Sequence, residues 1–361
     1  MASNKIPGVY SSVDASAALK SISSNQYVIG IIASGTSDDT NIKLTNKAYA
    51  PFSFDDAKEK YGSDSNIITL MDTAMENGGT NFIVVRVNDS DSSNPDYAAA
   101  LAISELEEAI DIVIIDSVNP TIFSTLKDSI NNASADRKER TAVIGFAVGT
   151  DNATANSNAN ALNSNRILAA YPNPLDSLGN EISGIYTAAA IAGQLAAEQN
   201  PSMPMTGVEI KGFHGLSKKL KITEMESLID NGVIPLQTLN GVIRIVRCIT
   251  TYTKNNIGAV DYTWQEVTTV RISDYIFKDL RNRLSSKFQR AKQSQSTRDA
   301  VKSEVMTGLL SYQSLEYIEN VTSTDVQIVI NPINPLVNDV NFKYDVVGPL
   351  NIINLTGYLV I

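Results

Sequence analysis

The sequence predicts an α/β protein: a mixed-sheet α/β core followed by an α+β C-terminal domain, with extended β arms at both ends. Three observations carry this expectation. Continuously apolar strands alternate with helical stretches of roughly 10–15 residues through the first two thirds, the pattern of βαβ units around a parallel sheet. The last third changes to β-rich, then helical, then β-rich segments. Both ends read as extended chain. The resulting division is an arm at 1–25, a core at 26–240 with an internal boundary near 88–95, a second domain at 241–350 and a terminal strand arm at 351–361. A length of 361 residues with 43% hydrophobic content is enough for a buried core in each domain.

Residues 1–25 open on Pro7-Gly8, are rich in Ser and Ala, and hold no helical period. Tyr27–Ala33 is apolar without interruption, as a strand buried on both faces should be. Ser53–Tyr61 reads as a short helix capped by Ser53. Asn66–Asn77 reads as a second helix, stopped by Gly78-Gly79. Phe82–Val87 is another buried strand, and Asn88–Pro95 is a polar connection. A helix at 96–109 then leads to the strand Ile112–Ile115, and a helix at 121–132 leads to the strand Ala142–Val148. Residues 151–166 carry six Asn among Ala and Ser, which predicts an exposed loop or frayed helix. A strand at Ile167–Tyr171 and a helix at Ile185–Gln199, stopped by Asn200-Pro201, complete the core pattern.

Val233–Thr251 is β-rich with Gly241 as its turn. Thr263–Ile272 alternates like a half-buried strand. Helices are expected at about 273–293 and 297–319, and strand and turn from 325 to 361. The last eleven residues present Ile353, Leu355, Leu359 and Ile361 on one face, and such a strand is a liability unless something pairs with it.

Composition excludes much chemistry. With one Cys and one His the chain can form no internal disulfide and cannot assemble a Cys/His zinc site. Gly30–Ser37 has the glycine spacing of a phosphate loop but lacks the Lys that reaches the β/γ-phosphates, so a turn after a strand is the better reading. His214, in Lys-Gly-Phe-His-Gly-Leu, has no nucleophile motif to serve. Asp111 and Asp116 bracket a strand and Asp38-Asp39 follow another; strand-end carboxylates either bind metals or are solvated turn residues. Cys248, between apolar neighbours, reads as a small core residue. No metal and no cofactor is expected. No apolar run is long enough to span a membrane. The first 25 residues lack a signal-peptide core, which predicts synthesis in a reducing cytoplasm.

The charge map is uneven. The formal net charge is −10, yet residues 271–302 hold nine basic and three acidic side chains, leaving 20 basic and 36 acidic elsewhere. Within that window Ile276, Leu280, Leu284 and Phe288 recur every fourth position, so the helix has one apolar stripe and a basic remainder. Two readings stand: a solvated helix face, or a docking helix for an acidic partner. Nucleic acid is one such candidate for this helix, but the acidic total argues against a nucleic-acid-binding surface spread over the whole protein.

Several segments, in order, resemble the tail sheath proteins of contractile phage tails and phage tail-like particles. They are Pro7-Gly8-Val9-Tyr10; Val28-Ile29-Gly30; Phe54-Asp55 and Tyr61-Gly62; and Glu76-Asn77-Gly78-Gly79 before Phe82–Val87. Further on come Tyr171-Pro172, Ser183-Gly184 and Ala192-Gly193, then Asn231-Gly232-Val233, Arg244 and Thr250-Thr251, and finally Val270–Ile276. Glu-Asn-Gly-Gly before an apolar strand ending in Arg-Val is the most specific piece. Ser11-Ser12 stand where the family often has acidic residues.

The resemblance implies a structural subunit, not an enzyme. It would polymerise with itself as stacked hexameric rings around an inner tail tube protein, meet baseplate and tail terminator proteins, and contract to drive the tube through a target envelope. It implies a place in a virion tail or tail-like particle, with no direct nucleic-acid contact and no membrane insertion. It assigns inter-subunit strand arms to Val9, Tyr10, Val13, Ile353, Leu355, Tyr358, Leu359 and Ile361. It assigns tube contact to the basic helix with Lys278, Arg281, Arg283, Lys287, Arg290 and Lys292. The alternatives are an α/β hydrolytic enzyme and a non-contractile lattice protein.

Overall fold

The computed structural model describes residues 27–35, 44–88, 96–353 and 355–356. The arm residues Val9, Tyr10, Val13, Tyr358, Leu359 and Ile361 lie outside the described residues, as do Asp38, Asp39 and residues 89–95 of the polar tract that begins at Asn88.

Strands β1 (Val28–Ala33) and β2 (Ala48–Tyr49) come first, then helices α1 (Phe54–Tyr61) and α2 (Asn66–Glu76) and strand β3 (Asn81–Arg86). Ser53 caps α1 by accepting from the Asp56 N–H at 3.1 Å, and Ser65 caps α2. Gly78, at φ +96°, closes α2. Alternation then follows: α3 (Tyr97–Leu106), β4 (Ile110–Ile115), α4 (Pro120–Ala135), β5 (Thr141–Ile144), α5 (Asn152–Leu162) and β6 (Ile167–Tyr171). After the short β7 (Pro174–Leu175) come α6 (Ile185–Ala197), β8 (Glu209–Ile210), β9 (Gly215–Leu216) and α7 (Ile222–Asp230), then the hairpin β10 (Val233–Leu239) and β11 (Val242–Ile245). The remainder is α8 (Val267–Phe288), α9 (Gln295–Ser314), β12 (Ile318–Glu319), β13 (Val326–Ile330), β14 (Asn338–Phe342) and β15 (Asp345–Val346).

The main sheet has nine strands among the described residues, in the order β2-β3-β1-β4-β5-β6-β10-β11-β8. Its six central strands, β3 through β10, are parallel, and the flanking strands are antiparallel. Helices cover both faces, so strand residues alternate between two cores. Ile29, Ile31 and Ile114 pack beneath α2 and α6, whereas Ile32, Val113 and Ile115 pack beneath α3 and α4. Burial on both sides explains why these strands lack polar positions. A third core joins α8 and α9 to the small strands: Ile272, Ile276, Leu280, Leu309 and Tyr312 meet Ile318 and Val326.

Several local expectations need correction. Residues 263–272 are not a strand; Val267 starts α8. The first two turns of α8 are enclosed on nearly every side, with Val267, Thr268, Val270, Arg271, Ile272 and Ser273 all buried, so no helical stripe shows in the sequence. Residues 152–162 are neither loop nor frayed helix. Asp151 caps α5 by accepting from the Thr154 N–H at 2.8 Å, Ala155, Ala159 and Leu162 face the core, and the asparagines form a ladder against α7. Asn152 donates to Glu224, Asn156 to Ser227 and Asn160 to Asn231. The strand expected to reach Val148 leaves the sheet at Gly145, because Gly184 lies against it and donates its N–H to the Phe146 carbonyl at 2.9 Å. The last helix also ends earlier than expected, at Ser314, and residues 318–319 form β12 instead.

The α2–α6 crossing depends on one missing side chain. A Cβ at Gly193 would fall inside van der Waals contact of the Ala74 carbonyl oxygen. Gly193→Ala should therefore destabilise the subunit by about 2 kcal/mol through overpacking, despite a helix-propensity gain of about 1 kcal/mol. Urea denaturation of the purified subunit measures this, and an unchanged or higher midpoint would contradict it.

Candidate assembly surfaces

The carboxyl ends of the parallel strands are where an α/β enzyme would place its ligand, at the point where the connections diverge. Here that point lies between β1 and β4, and the chain's own carboxylate occupies it. Asp116, just past β4, accepts from the Ser34 N–H at 3.0 Å, the Ser34 hydroxyl at 2.7 Å, the Asn66 amide at 2.8 Å and the Tyr97 hydroxyl at 2.6 Å. A phosphate would meet a negative charge already holding the available donors. Gly30 lies inside β1 rather than in a loop, and Thr36 and Ser37 lie outside the described residues.

The remaining chemical candidates differ in their surroundings. Burial pushes the Cys248 thiol up to about 12, so it holds no reactive thiolate. His214 is exposed between β8 and β9. Asp111 accepts from the Val28 N–H at 3.0 Å and pairs with Lys278. Among the described residues there is no cluster of three or more His, Cys, Asp or Glu suited to a metal. No helix among them is long and apolar enough to cross a membrane.

The basic helix does two jobs. Three ion pairs tie α8 to the amino-terminal edge of the sheet. Lys278 meets Asp111 on β4 at 2.7 Å, Arg281 meets Glu139 just before β5, and Asp274 receives both guanidinium nitrogens of Arg166 at 2.9 Å just before β6. Burial raises the Asp274 pKa even against Arg166. Burial also works to raise Glu139, but the Arg281 hydrogen bond and nearby cations outweigh it and hold that carboxyl below its ordinary value. Further along, Arg283 pairs with Asp279 at 2.5 Å, and Lys287 pairs with Glu304 on α9. Four of the six cations assigned to a docking face thus have partners within the chain. Arg290 and Lys292, at the turn between α8 and α9, are exposed and have no acidic partner among the described residues.

That turn abuts a second exposed feature. The Gln293 amide and the Asn338 amide hydrogen-bond reciprocally at 2.9 and 2.8 Å, joining the helical turn to the β13–β14 hairpin. The hairpin pairs only with itself among the described residues, so each strand has a free edge. Its outer half is apolar and exposed: Val329, Ile330, Ile333 at 92%, Leu336 at 82% and Val337. The C-terminal segment is similar. Asn351 is anchored to Glu266 at 2.9 Å and Thr206 at 3.3 Å, after which Ile352, Ile353 and Leu355 stand exposed. Of the assigned arm residues, Ile353 and Leu355 are therefore placed in solvent. The exposed hairpin was not singled out from the sequence. Its signal was present in the apolar positions at 326–330 and 333–337, on strands too short to cover each other.

Solved structures share this fold. The sheath tail protein of Desulfitobacterium hafniense is 10% identical, with a TM-score of 0.66 over 89% of this chain and 97% of its own. The helical sheath of the anti-feeding prophage in its contracted state is 15% identical, with a TM-score of 0.71 over 99% of both chains. The contracted sheath complex of the extracellular contractile injection system PVC is 15% identical, with a TM-score of 0.69 over 99% of this chain and 98% of its own. No curated protein matches the sequence. The fold is thus that of these sheath proteins. The model of the phage tail sheath central domain matches residues 91–251 and that of the phage tail sheath C-terminal domain matches residues 259–360, so the chain belongs to the phage tail sheath family.

Proposed function

We propose that this chain is the repeating subunit of a contractile sheath. It stacks as hexameric rings around an inner tail tube, in a virion tail or tail-like particle assembled in a bacterial cytoplasm, and shortens to drive the tube through a target envelope. The observation that carries this is the match of both sheath domain models across most of the chain, beside near-complete structural overlap with two contracted sheaths. Contact with baseplate and terminator proteins at the ends of the stack belongs to the same reading.

The free-edged β13–β14 hairpin is suited to accept a strand from another copy, and the exposed C-terminal segment is suited to donate one. Donation to a neighbour is head-to-tail, so it propagates as a helix instead of closing as a dimer. Such pairing persists, in this reading, while rigid cores rotate from a metastable lattice to a shorter one.

Tube contact is assigned to the α8–α9 turn. Charge reversal at Lys278, Arg281 or Lys287 would break intrachain pairs and so would test folding instead. The double variant Arg290→Glu, Lys292→Glu is expected to fold normally, judged by circular dichroism and melting, and to lose co-assembly with an acidic tube. Wild-type co-sedimentation with tubes by this variant would refute the assignment. Electron microscopy of the purified chain tests the wider reading: striated tubes support it, flat lattices favour a non-contractile protein, and dispersed particles count against both.

A further inference from the structure

The segment that follows β15 is tied to the rest of the subunit at a single residue. The Val347 N–H donates to the Tyr317 carbonyl at 3.1 Å. Beyond it, among the described residues, the hydrogen bonds of residues 348–353 are those of the Asn351 side chain. Its amide nitrogen donates to Glu266 Oε1 at 2.9 Å, and its amide oxygen accepts from the Thr206 hydroxyl at 3.3 Å. Asn351 is half-buried, whereas its neighbours Leu350 and Ile352 are exposed at 79% and 72%. Apolar side chains in solvent on both sides of a partly covered amide are the reverse of what burial alone would select.

Both partners belong to the main-sheet side of the molecule, whereas the segment comes from the third core, against which Val346 packs. Thr206 lies before β8, and Glu266 immediately precedes α8. Glu266 is itself held in place. Its Oε1 takes Arg247 Nε at 2.7 Å and Nη2 at 2.6 Å, and its backbone bridges Ile249. Ile249 and Val267, beside it, belong to the core beneath α2 and α6. An asparagine suits this place because one short side chain carries both a donor and an acceptor.

We propose that Asn351 is a positioning residue for strand donation. Held between Glu266 and Thr206, it fixes the root of the C-terminal segment against the main-sheet core and sets the direction in which Ile352, Ile353 and Leu355 leave for a second copy. The donation belongs to the sheath reading, on which this role rests; the pin is a property of the single chain. Without the pin, residues 348–351 must also be ordered each time a strand is donated. A loose root also lowers the effective concentration of the strand at its acceptor.

The pin and the assembly are measured separately. Cys248 is buried with its thiol pushed up to about 12, so a nitroxide label goes to Ile352→Cys alone. Electron paramagnetic resonance spectra are taken on the full chain, kept dilute enough to remain dispersed. Adding Asn351→Ala should narrow the spectrum to that of a mobile tail while the melting temperature stays the same. The exchange of Asn351→Asp with Glu266→Gln puts the acceptor on the segment and the donor on the core, and should restore the broad spectrum. Polymerisation of the unlabelled chains is followed by sedimentation. Asn351→Ala should raise the concentration needed for tubes about tenfold, and the exchange should bring it back towards the wild type.

Equal label mobility in wild type and Asn351→Ala, or an exchange variant as loose as Asn351→Ala, would overturn the pin. A loosened root with wild-type polymerisation would overturn its positioning role. A wild type that forms no tubes, while its label responds as described, would overturn strand donation itself and leave the pin standing, so the two failures are distinguishable.

Discussion

Truncating the chain after Asn351 is expected to leave a folded subunit that no longer polymerises. Within the subunit the described part of the removed segment stands in solvent: Ile352, Ile353 and Leu355 are exposed at 72%, 69% and 92%. The anchors of the segment belong to Asn351, which stays, so the intrachain loss should be under about 1 kcal/mol. Between subunits the balance is different. Burying each of these side chains on a neighbour is worth about 1.5–3 kcal/mol, and pairing with a free hairpin edge adds main-chain hydrogen bonds. Even after ordering costs, the loss per contact is several kcal/mol, and it recurs at every subunit in the stack. Thermal melting should therefore be nearly unchanged while tubes vanish from electron micrographs. Tubes of normal length from the truncated chain would refute strand donation by this segment; a collapsed melting temperature would show that the segment serves the fold.

The second large effect concerns the join between the sheet and α8. Arg166→Met should destabilise the chain by about 3 kcal/mol near neutral pH, because it strands Asp274 as an uncompensated charge in a buried site. Arg166 and Asp274 are both nearly buried and make two hydrogen bonds of 2.9 Å. The pH dependence has a definite sign. Burial raises the folded-state pKa of Asp274 above its ordinary value. A carboxyl with a raised pKa binds its proton more tightly when folded, so its contribution is greatest below the unfolded pKa and is lost as pH rises through the folded one. Removing Arg166 raises that folded pKa further, so the penalty should shrink on acidification. Paired denaturant titrations of wild type and variant at neutral and mildly acidic pH measure it. A penalty that is constant or grows as pH falls would contradict the account. Glu139 behaves oppositely: Arg281 and nearby cations hold its pKa down against burial, so its contribution is present above the unfolded pKa and lost as pH falls through the folded one. The Asp274 effect is therefore read as the difference between the two proteins.

Much of the core was legible because its signals are local. A strand buried on both faces must be apolar throughout, and Val28–Ala33, Asn81–Arg86 and Ile167–Tyr171 are found within a residue or two of where that rule puts them. Ser53 before α1 and Gly78-Gly79 after α2 act as a cap and a stop because each satisfies backbone groups within a few residues. The candidate surfaces were less legible. The basic window was visible as composition, but the partners of Lys278 and Arg281 were not, since Asp111 and Glu139 lie 167 and 142 residues away in sequence. The partner of Asp274 was hidden in the same way, because Arg166 is 108 residues before it.

By itself the sequence determined the alternation of strands and helices, the lack of an internal disulfide, and the order of segments that marks a sheath protein. Only the tertiary structure decided three matters. The asparagine run at 152–163 becomes a helix because α7 offers hydrogen-bond partners at matching spacing. The alternating segment before 272 becomes the start of α8 because neighbours enclose it on nearly every side. Four of the six basic residues are engaged in intrachain ion pairs, which leaves Arg290 and Lys292 facing outward. The physical reason is common to all three. Periodicity and capping act over a few residues, whereas a polar group's partner is set by what the fold brings beside it.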